Sequence, residues 1–310
     1  MSNLAQVETD ITEGFRDAMA EAGLIHRDPI HADGKLHRFR VEGDRRGTRN
    51  GWYVLHGDGV PAGAFDSWKG ITGTWRARSR MSRQDSAVMR DRMKAAIRAA
   101  SLERERSGHD AAERARRLWE AAKPADPQHG YLRSKRVQAH GLRQHGESLL
   151  VPVRDVTGEI MSLQRIEANG EKRFLPGGRI TGGFHILSGD PPGAFFDALC
   201  RVPMLVIAEG YATAATIWEI TDIPVVIAFN AGNLKPVAEA IQARLGSWRP
   251  IFAADNDHHG QRNVGIEKAR EAAHAIGGGQ VIAPPPDEGI TDWNDWYGRN
   301  GSGLITEVFP

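Results

Sequence analysis

Five carboxylates in the last third of the chain carry the strongest chemical signal: Glu209 in MLVIAEG, Asp255 and Asp257 in AADNDHHG, and Asp292 and Asp295 in TDWNDW. Carboxylates at close range repel one another and raise each other's pKa unless a cation neutralises them. Mg²⁺ or Mn²⁺ is the expected cation, a hard ion that prefers oxygen and binds through a few carboxylates, waters and substrate phosphates. Such a centre suits phosphoryl or nucleotidyl transfer, screening a triphosphate, helping to ionise the attacking hydroxyl and steadying the pyrophosphate that leaves. Glu209 then serves as general base or as a further ligand. Taken singly, an aspartate after a strand is commonly a helix N-cap or turn residue. The specificity lies in the set: Glu-Gly after one strand, DxD two strands later and DxxD after the next.

The elements that must hold these acids are legible around them. Apolar runs at MLVIAEG, IPVVIAFN, PIFAAD and QVIAPP alternate with helical stretches YATAATIWEI, NLKPVAEAIQARL and NVGIEKAREAAHAI. Short Val/Ile-rich runs alternating with helices predict a parallel sheet covered on both faces, with right-handed crossovers. Ligands of such sheets gather at the carboxyl ends of the strands, so all five acids are expected on one rim. Gly210 is expected to let the backbone turn sharply from Glu209 into the next helix. In AFNAGNLK, the backbone around Asn230, Gly232 and Asn233 either presents N–H groups to a phosphate or forms an ordinary Asn cap with a Gly turn.

Upstream, residues 1 to about 25 read as a short helix with Phe15, Met19, Ala22 and Leu24 on one face. From Leu36 to about Arg76, alternating runs between Gly, Asp and Asn turns predict a small antiparallel β-module. Its aromatics, Trp52, Tyr53, Phe65, Trp68 and Trp75, form either its core or a base-stacking surface. Residues from Ser82 to about Lys123 read as two successive helices around Gly108. A short helix at Tyr131–Arg133 and two strands around a turn at Asp155 to Gly158 follow, then a third strand and a Gly-rich loop in KRFLPGGRITGGFHIL. The expected organisation is therefore an N-terminal helix and β-module over 1–80, a basic helical connector over 81–125, a mixed α+β subdomain over 126–200 and an α/β domain over 201–310.

With 310 residues and 40% hydrophobic content, the chain can bury a sizeable core. Its net charge of +1 argues against simple coating of nucleic acid. Basic residues nonetheless outnumber acidic ones by about two to one between Arg76 and Lys123. No apolar run approaches the roughly 20 residues that span a bilayer, and MSNLAQVETDITEGF does not read as a signal peptide. No membrane association and a cytoplasmic location are expected. The one cysteine, Cys200, excludes an intrachain disulfide and any Cys-based zinc ribbon, and pairs such as His140 with His145 or His258 with His259 offer no convincing ligand set, so no zinc is expected.

AEGYATA and AADNDHHGQRNVGIEKA resemble the Glu-Gly and DxD motifs of the TOPRIM domain, the catalytic fold shared by DnaG-type primases, topoisomerases and some nucleases. The resemblance covers roughly residues 203 to 298. It implies that Glu209, Asp255 and Asp257 are the principal functional acids, and that Asp292 and Asp295 match an accessory acidic motif of plasmid and phage primases. YLRSKRV and the block LLVPVRDVTGEIMSLQRIEANGEKRFLPGGRITGGFHIL are similar to the amino-terminal part of the DnaG-type core. That similarity implies that Arg154, Arg165, Lys172 and Arg173 line a nucleotide or template groove; Lys268, on the helix after the DxD motif, is a further candidate for the same role. The function implied is a DNA primase of a mobile element, making short RNA primers from ribonucleoside triphosphates on single-stranded DNA. No G-x-x-x-x-G-K-[ST] loop is present, so any helicase is expected to be a separate partner. The alternatives are a metal-dependent TOPRIM nuclease and a non-catalytic single-stranded-DNA-binding protein. A topoisomerase is disfavoured because no tyrosine is placed as nucleophile, Tyr211 reading as helix packing.

Overall fold

Ile11, Phe15 and Met19 recur every fourth residue and make the buried stripe of helix α1 (Asn3–Glu21), with Leu24 packed beyond its end. Ala22 is exposed, because the helix has already ended. The computed structural model describes residues 3–44, 47–58, 61–67, 71–77, 83–189, 204–246, 248–258 and 262–309; Trp68, Cys200 and His259 lie outside them. The chain forms two compact units, residues 1–106 and 107–310.

In the first unit, strands β1 (Asp33–Phe39), β2 (Gly51–His56), β3 (Ala62–Ser67) and β4 (Thr72–Arg76) form an antiparallel meander in that order. Alternation sends Phe39, Tyr53 and Phe65 onto the α1 face, where Phe15 meets Tyr53 and Phe65 edge-on at 5.8 Å. Glycines make room for these rings. Gly73 faces Phe65 across the strand pair, and a Cβ on it would lie 2.4 Å from the ring. Trp52, Tyr53 and Phe65 are all buried and Trp75 packs on Phe15, so these four rings are core and not a stacking surface.

Helix α2 (Arg83–Ala121) is one continuous element of 39 residues where two were expected. Gly108 does not break it: nothing crowds this position, and a single glycine costs only about 1 kcal/mol in a helix interior.

Among the described residues, the second unit contains two sheets. Strands β5 (Lys123–Pro124), β6 (Arg143–His145), β7 (Ser148–Arg154), β8 (Ile160–Ile166) and β9 (Lys172–Phe174) are antiparallel in sequence order, with the short helix α3 (Gly130–Lys135) between β5 and β6. Leu150 and Leu163 pack on Ala115 and Trp119 of α2, while Leu149, Val151 and Val153 face the opposite way, into the largest core. That core is shared with the last sheet, built from β10 (His185–Leu187), β11 (Val206–Ala208), β12 (Val225–Ile227), β13 (Ile251–Ala253) and β14 (Gln280–Ile282).

The sheet order is β10-β12-β11-β13-β14, with β11 to β14 parallel as expected and β10 antiparallel at the edge. β10, the HIL of the Gly-rich segment, pairs with β12, while Phe184 just before it bridges Arg154 of β7. Val206 and Ala208 face α4 (Tyr211–Thr221), α7 (Trp293–Asn300) and α8 (Gly303–Val308). Ile207 faces the other way, toward α5 (Leu234–Leu245) and α6 (Val264–Ala275). Both faces are covered, which explains strands of unbroken apolar sequence. Among the described residues, no helix is long and apolar enough to cross a membrane.

Candidate active site

Strands β11 and β13 are neighbours in register, Ala208 opposite Ala253, so the residues that leave them run out side by side. Glu209 follows β11 directly and is buried, and its Oε1 has no hydrogen-bond partner among the described residues. Burial and then the charge of Asp257 push its carboxyl up to about 7, against the pull of the main-chain groups of Asp255 and Ala231. Asp255, two residues beyond β13, is pushed up to about 8 by burial and by Glu209, Asp292 and Asp257. Its Oδ1 is likewise buried without a partner. Two adjacent acids with orphaned oxygens are an arrangement that folding alone does not favour.

The other acids are anchored at one side and open at the other. Asp257 is exposed, and its Oδ2 accepts from the Gly265 N–H at 3.2 Å at the start of α6. Asp292 caps α7, its Oδ1 accepting from the Asp295 N–H at 2.7 Å, and burial raises its carboxyl. Asp292 is thus both helix cap and member of the acidic group. Asp295 accepts from Lys135 Nζ at 3.0 Å and from Thr291 Oγ1 at 3.1 Å. No three Asp, Glu, His or Cys side chains among the described residues already enclose one point as a finished ion cage. Glu209 and Asp255 nevertheless fit a divalent ion, with hard oxygen ligands and unpaired acceptor atoms, in the manner of ions completed by water and substrate phosphate.

Two lysines face these acids. Lys172 opposes Ile166 in the β8–β9 pair and therefore shares the face of that inward residue. Crowding by protein lowers its pKa although the side chain is solvent-accessible, and Asp292 and Asp255 oppose that shift. Gly210 lies beside it, a Cβ there coming 3.5 Å from Lys172 Nζ. The backbone at Gly210 is extended (φ −116°, ψ 157°), so glycine is not needed for a sharp turn, contrary to the expectation. Lys135, at the end of α3, is pulled down by burial, but Asp292 and Asp295 outweigh this and raise its pKa.

The remaining basic candidates make other contacts. Arg173 faces Arg165 across the pair, one residue out of phase with Lys172, and binds Glu171 at 2.6 Å. Arg165 donates to Ser148 Oγ at 2.8 Å. Arg154 donates to the Gly158 carbonyl at 2.7 Å and closes its own hairpin. Lys268 is half-buried and pairs with Glu271 at 2.6 Å. Asn230 Oδ1 accepts from the Asn233 N–H at 3.1 Å, and a Cβ on Gly232 would lie 3.3 Å from that Oδ1, so this loop is built as a cap. Its main chain at Ala231 still faces Glu209.

Several supports of the site were not singled out from sequence. Asn256, buried between the two aspartates, donates to the Pro284 carbonyl at 2.8 Å and accepts from Asn263 Nδ2 at 2.7 Å, while its N–H donates to the Thr291 carbonyl at 2.7 Å. It ties the DxD loop to the loop before α7. Asn294 donates to the Lys135 carbonyl at 2.7 Å and to Thr216 Oγ1 at 2.8 Å, joining α7, α3 and α4.

Residues 204–303 match the family described as Toprim domain. A DNA primase TraC of Escherichia coli is 37% identical over 281 residues, covering 86% of this chain and 26% of that protein. A second Escherichia coli DNA primase TraC is 35% identical over 284 residues, covering 87% of this chain and 19% of that protein. The chain therefore spans about a quarter or less of the length of these curated relatives. The crystal structure of the zinc-binding and RNA polymerase domains of Aquifex aeolicus primase is 11% identical, with a TM-score of 0.46, over 97% of this chain and 84% of that one. Residues 204–303 are thus a Toprim domain, in a chain related over most of its length to DNA primase TraC.

Proposed function

We propose that this chain synthesises short RNA primers on single-stranded DNA by divalent-metal-dependent nucleotidyl transfer, with Glu209, Asp255 and Asp257 as the principal acids. The observation that carries the reading is the pair of buried, unpartnered oxygens, Glu209 Oε1 and Asp255 Oδ1, on adjacent strand ends. Bound Mg²⁺ or Mn²⁺ supplies the electrostatic stabilisation that phosphoryl transfer needs at the triphosphate and at the attacking hydroxyl. Glu209 and Asp255 would hold the ion as carboxylates, since metal ligands must be deprotonated. Asp257 presents its exposed carboxylate at the same rim, and Asp292 adds negative charge behind it. Lys172 and Lys135 hold positive charge beside the acids, where they orient the phosphates of an incoming ribonucleoside triphosphate.

In this reading, residues 126–200 supply the basic wall of the nucleotide site and 201–310 the acidic one, with 1–80 and the connector 81–125 outside the chemistry. The relationship to TraC favours a mobile-element setting in the cytoplasm, with any helicase on a separate chain. The test is incubation with single-stranded DNA of mixed sequence, labelled ribonucleotides and Mg²⁺ or Mn²⁺, beside an Asp255→Ala, Asp257→Ala control. Short labelled products from the unmutated protein alone are expected. DNA shortened without nucleotides would replace priming by nuclease activity.

A further inference from the structure

The first unit carries a cavity of about 400 Å³ that has no part in the Toprim chemistry. Its walls include His31, His37 and Tyr53, together with Arg40 and Arg49. His37 stacks on Tyr53 at 5.0 Å and 17°, and His31 lies tilted against His37 at 5.2 Å and 31°. The stack is fixed from behind, because Asp33 Oδ1 holds His37 Nε2 at 2.8 Å and the His31 N–H donates to the Tyr53 hydroxyl at 3.0 Å. His31, at the end of the stack, is exposed. Arg40 and Arg49 are exposed as well, and Arg49 makes no polar contact among the described residues, whereas Arg40 spends only its Nε on the Asp44 carbonyl. A second cavity of about 270 Å³ shares His26, Asp28 and Arg40 with the first, so Arg40 stands where the two meet.

We infer that this face of the β-module is a nucleotide-binding groove, with a base stacked on His31 and its phosphate on Arg40 and Arg49. Flat rings accept any base, and guanidinium groups match phosphate oxygens. The volume suits a nucleotide-sized ligand, being within the range of about 300–1,000 Å³ of small-molecule sites. Two cavities that share Arg40 place one phosphate position between two adjoining spaces, as a single strand passing from one to the other requires; a free nucleotide has the same chemistry and would fill the first alone. The exposed ring of the groove is an imidazole, because Trp52, Tyr53, Phe65 and Trp75 are packed in the module. This inference stands independently of the proposed reaction.

The test is photo-cross-linking of the full chain to a 4-thiothymidine-containing oligothymidylate, with EDTA present so that no divalent ion reaches the acidic rim, followed by mapping of the cross-linked peptide. Cross-links within residues 26–53 are expected. His31→Ala with Arg49→Ala should reduce their yield about tenfold, consistent with loss of a stacking contact and a phosphate contact, with an unchanged melting temperature. Arg40→Ala should do the same should the double variant fold poorly. Cross-links that persist under excess AMP identify a strand as the ligand, and those that AMP abolishes identify a free nucleotide. Cross-links confined to residues outside 26–53, or unchanged in the variants, overturn the inference.

Discussion

Gly265 stands so close to Asp255 that a Cβ on it would lie 2.3 Å from the Asp255 carbonyl oxygen and 3.1 Å from Glu209 Oε1. The first turn of α6 therefore closes over both acids, and only glycine leaves them their place. Gly265→Ala is expected to destabilise the protein by about 1–3 kcal/mol, as overpacking does, because the close atom is backbone and cannot swing away. Primer synthesis should fall further than the lost stability explains, since Asp255 must shift. Urea unfolding beside a priming assay checks both; a variant with unchanged unfolding and activity would show that the loop gives way freely.

The raised carboxyls of Glu209, about 7, and Asp255, about 8, predict how the ion-free protein responds to pH. Both folded values lie above the unfolded values, so the folded state binds the extra protons. The stability they contribute is fully present below about pH 4 and is lost as pH rises through 7 to 8, with a slope of at most about 1.4 kcal/mol per pH unit for each group. In EDTA, the melting temperature should fall from pH 6 to pH 9. Mg²⁺ or Mn²⁺ should restore it most at the alkaline end, where no proton has to be displaced. Glu209→Gln with Asp255→Asn should flatten the slope; a slope unchanged in that variant would place the titration elsewhere.

Much of the Toprim half was legible because its signals are local. Four Val/Ile-rich runs separated by helical stretches fix strand positions, and acids immediately after them must emerge at one rim. What the local pattern does not carry is partnership across long sequence separations. Lys135 meets Asp295 160 residues away, and Asn294 meets the Lys135 carbonyl 159 residues away. Strand β10 carries no local mark of its partner for the same reason: it lies in the Gly-rich segment after β9 and pairs with β12, across the unit. Among the basic residues, phase within a strand separates Lys172 from Arg173, and that phase depends on a register known only once β8 is paired. Glycine misleads in both directions, since Gly108 interrupts nothing and Gly265 leaves no local mark of the backbone above it.

Gly108 provides a simple check on the helix. It sits inside α2 with open space around it, so Gly108→Ala should stabilise the protein by up to about 1 kcal/mol through helix propensity. Two helices with a break at that point would instead lose stability on the same substitution, and thermal unfolding distinguishes the two.

Lys135 is the counter-charge that Asp292 and Asp295 share, held in place by the Asn294 bond to its carbonyl. Lys135→Met removes that charge while keeping most of the volume. Asp292, already raised by burial and lowered in part by Lys135, should rise further. The acid limb of the priming rate against pH should therefore move to higher pH, with the plateau rate recovered at least in part by alkaline buffer. Lys135→Arg should keep the original midpoint. A uniform loss of rate at every pH would make Lys135 a packing residue and not an electrostatic one.

Lys172 and Arg173 are neighbours in sequence on opposite faces of β9, so the pair separates position from charge. Lys172 lies beside Gly210 and acts on Asp255 and Asp292, whereas Arg173 is spent on Glu171 at the surface. Loss of a cation aimed at developing phosphate charge typically lowers the rate by about 100-fold or more, and exposed ion pairs contribute about 0–1 kcal/mol of stability. Lys172→Ala should accordingly reduce primer synthesis by about 100-fold and leave the melting temperature near its original value, because a solvent-accessible charge contributes little to stability. Arg173→Ala should stay within about twofold in rate, as expected for a surface pair. Steady-state priming with saturating and limiting ribonucleotide assigns the loss in Lys172→Ala to binding or to the chemical step. Equal losses in the two variants would mean that the whole strand, and not one face of it, meets the phosphates.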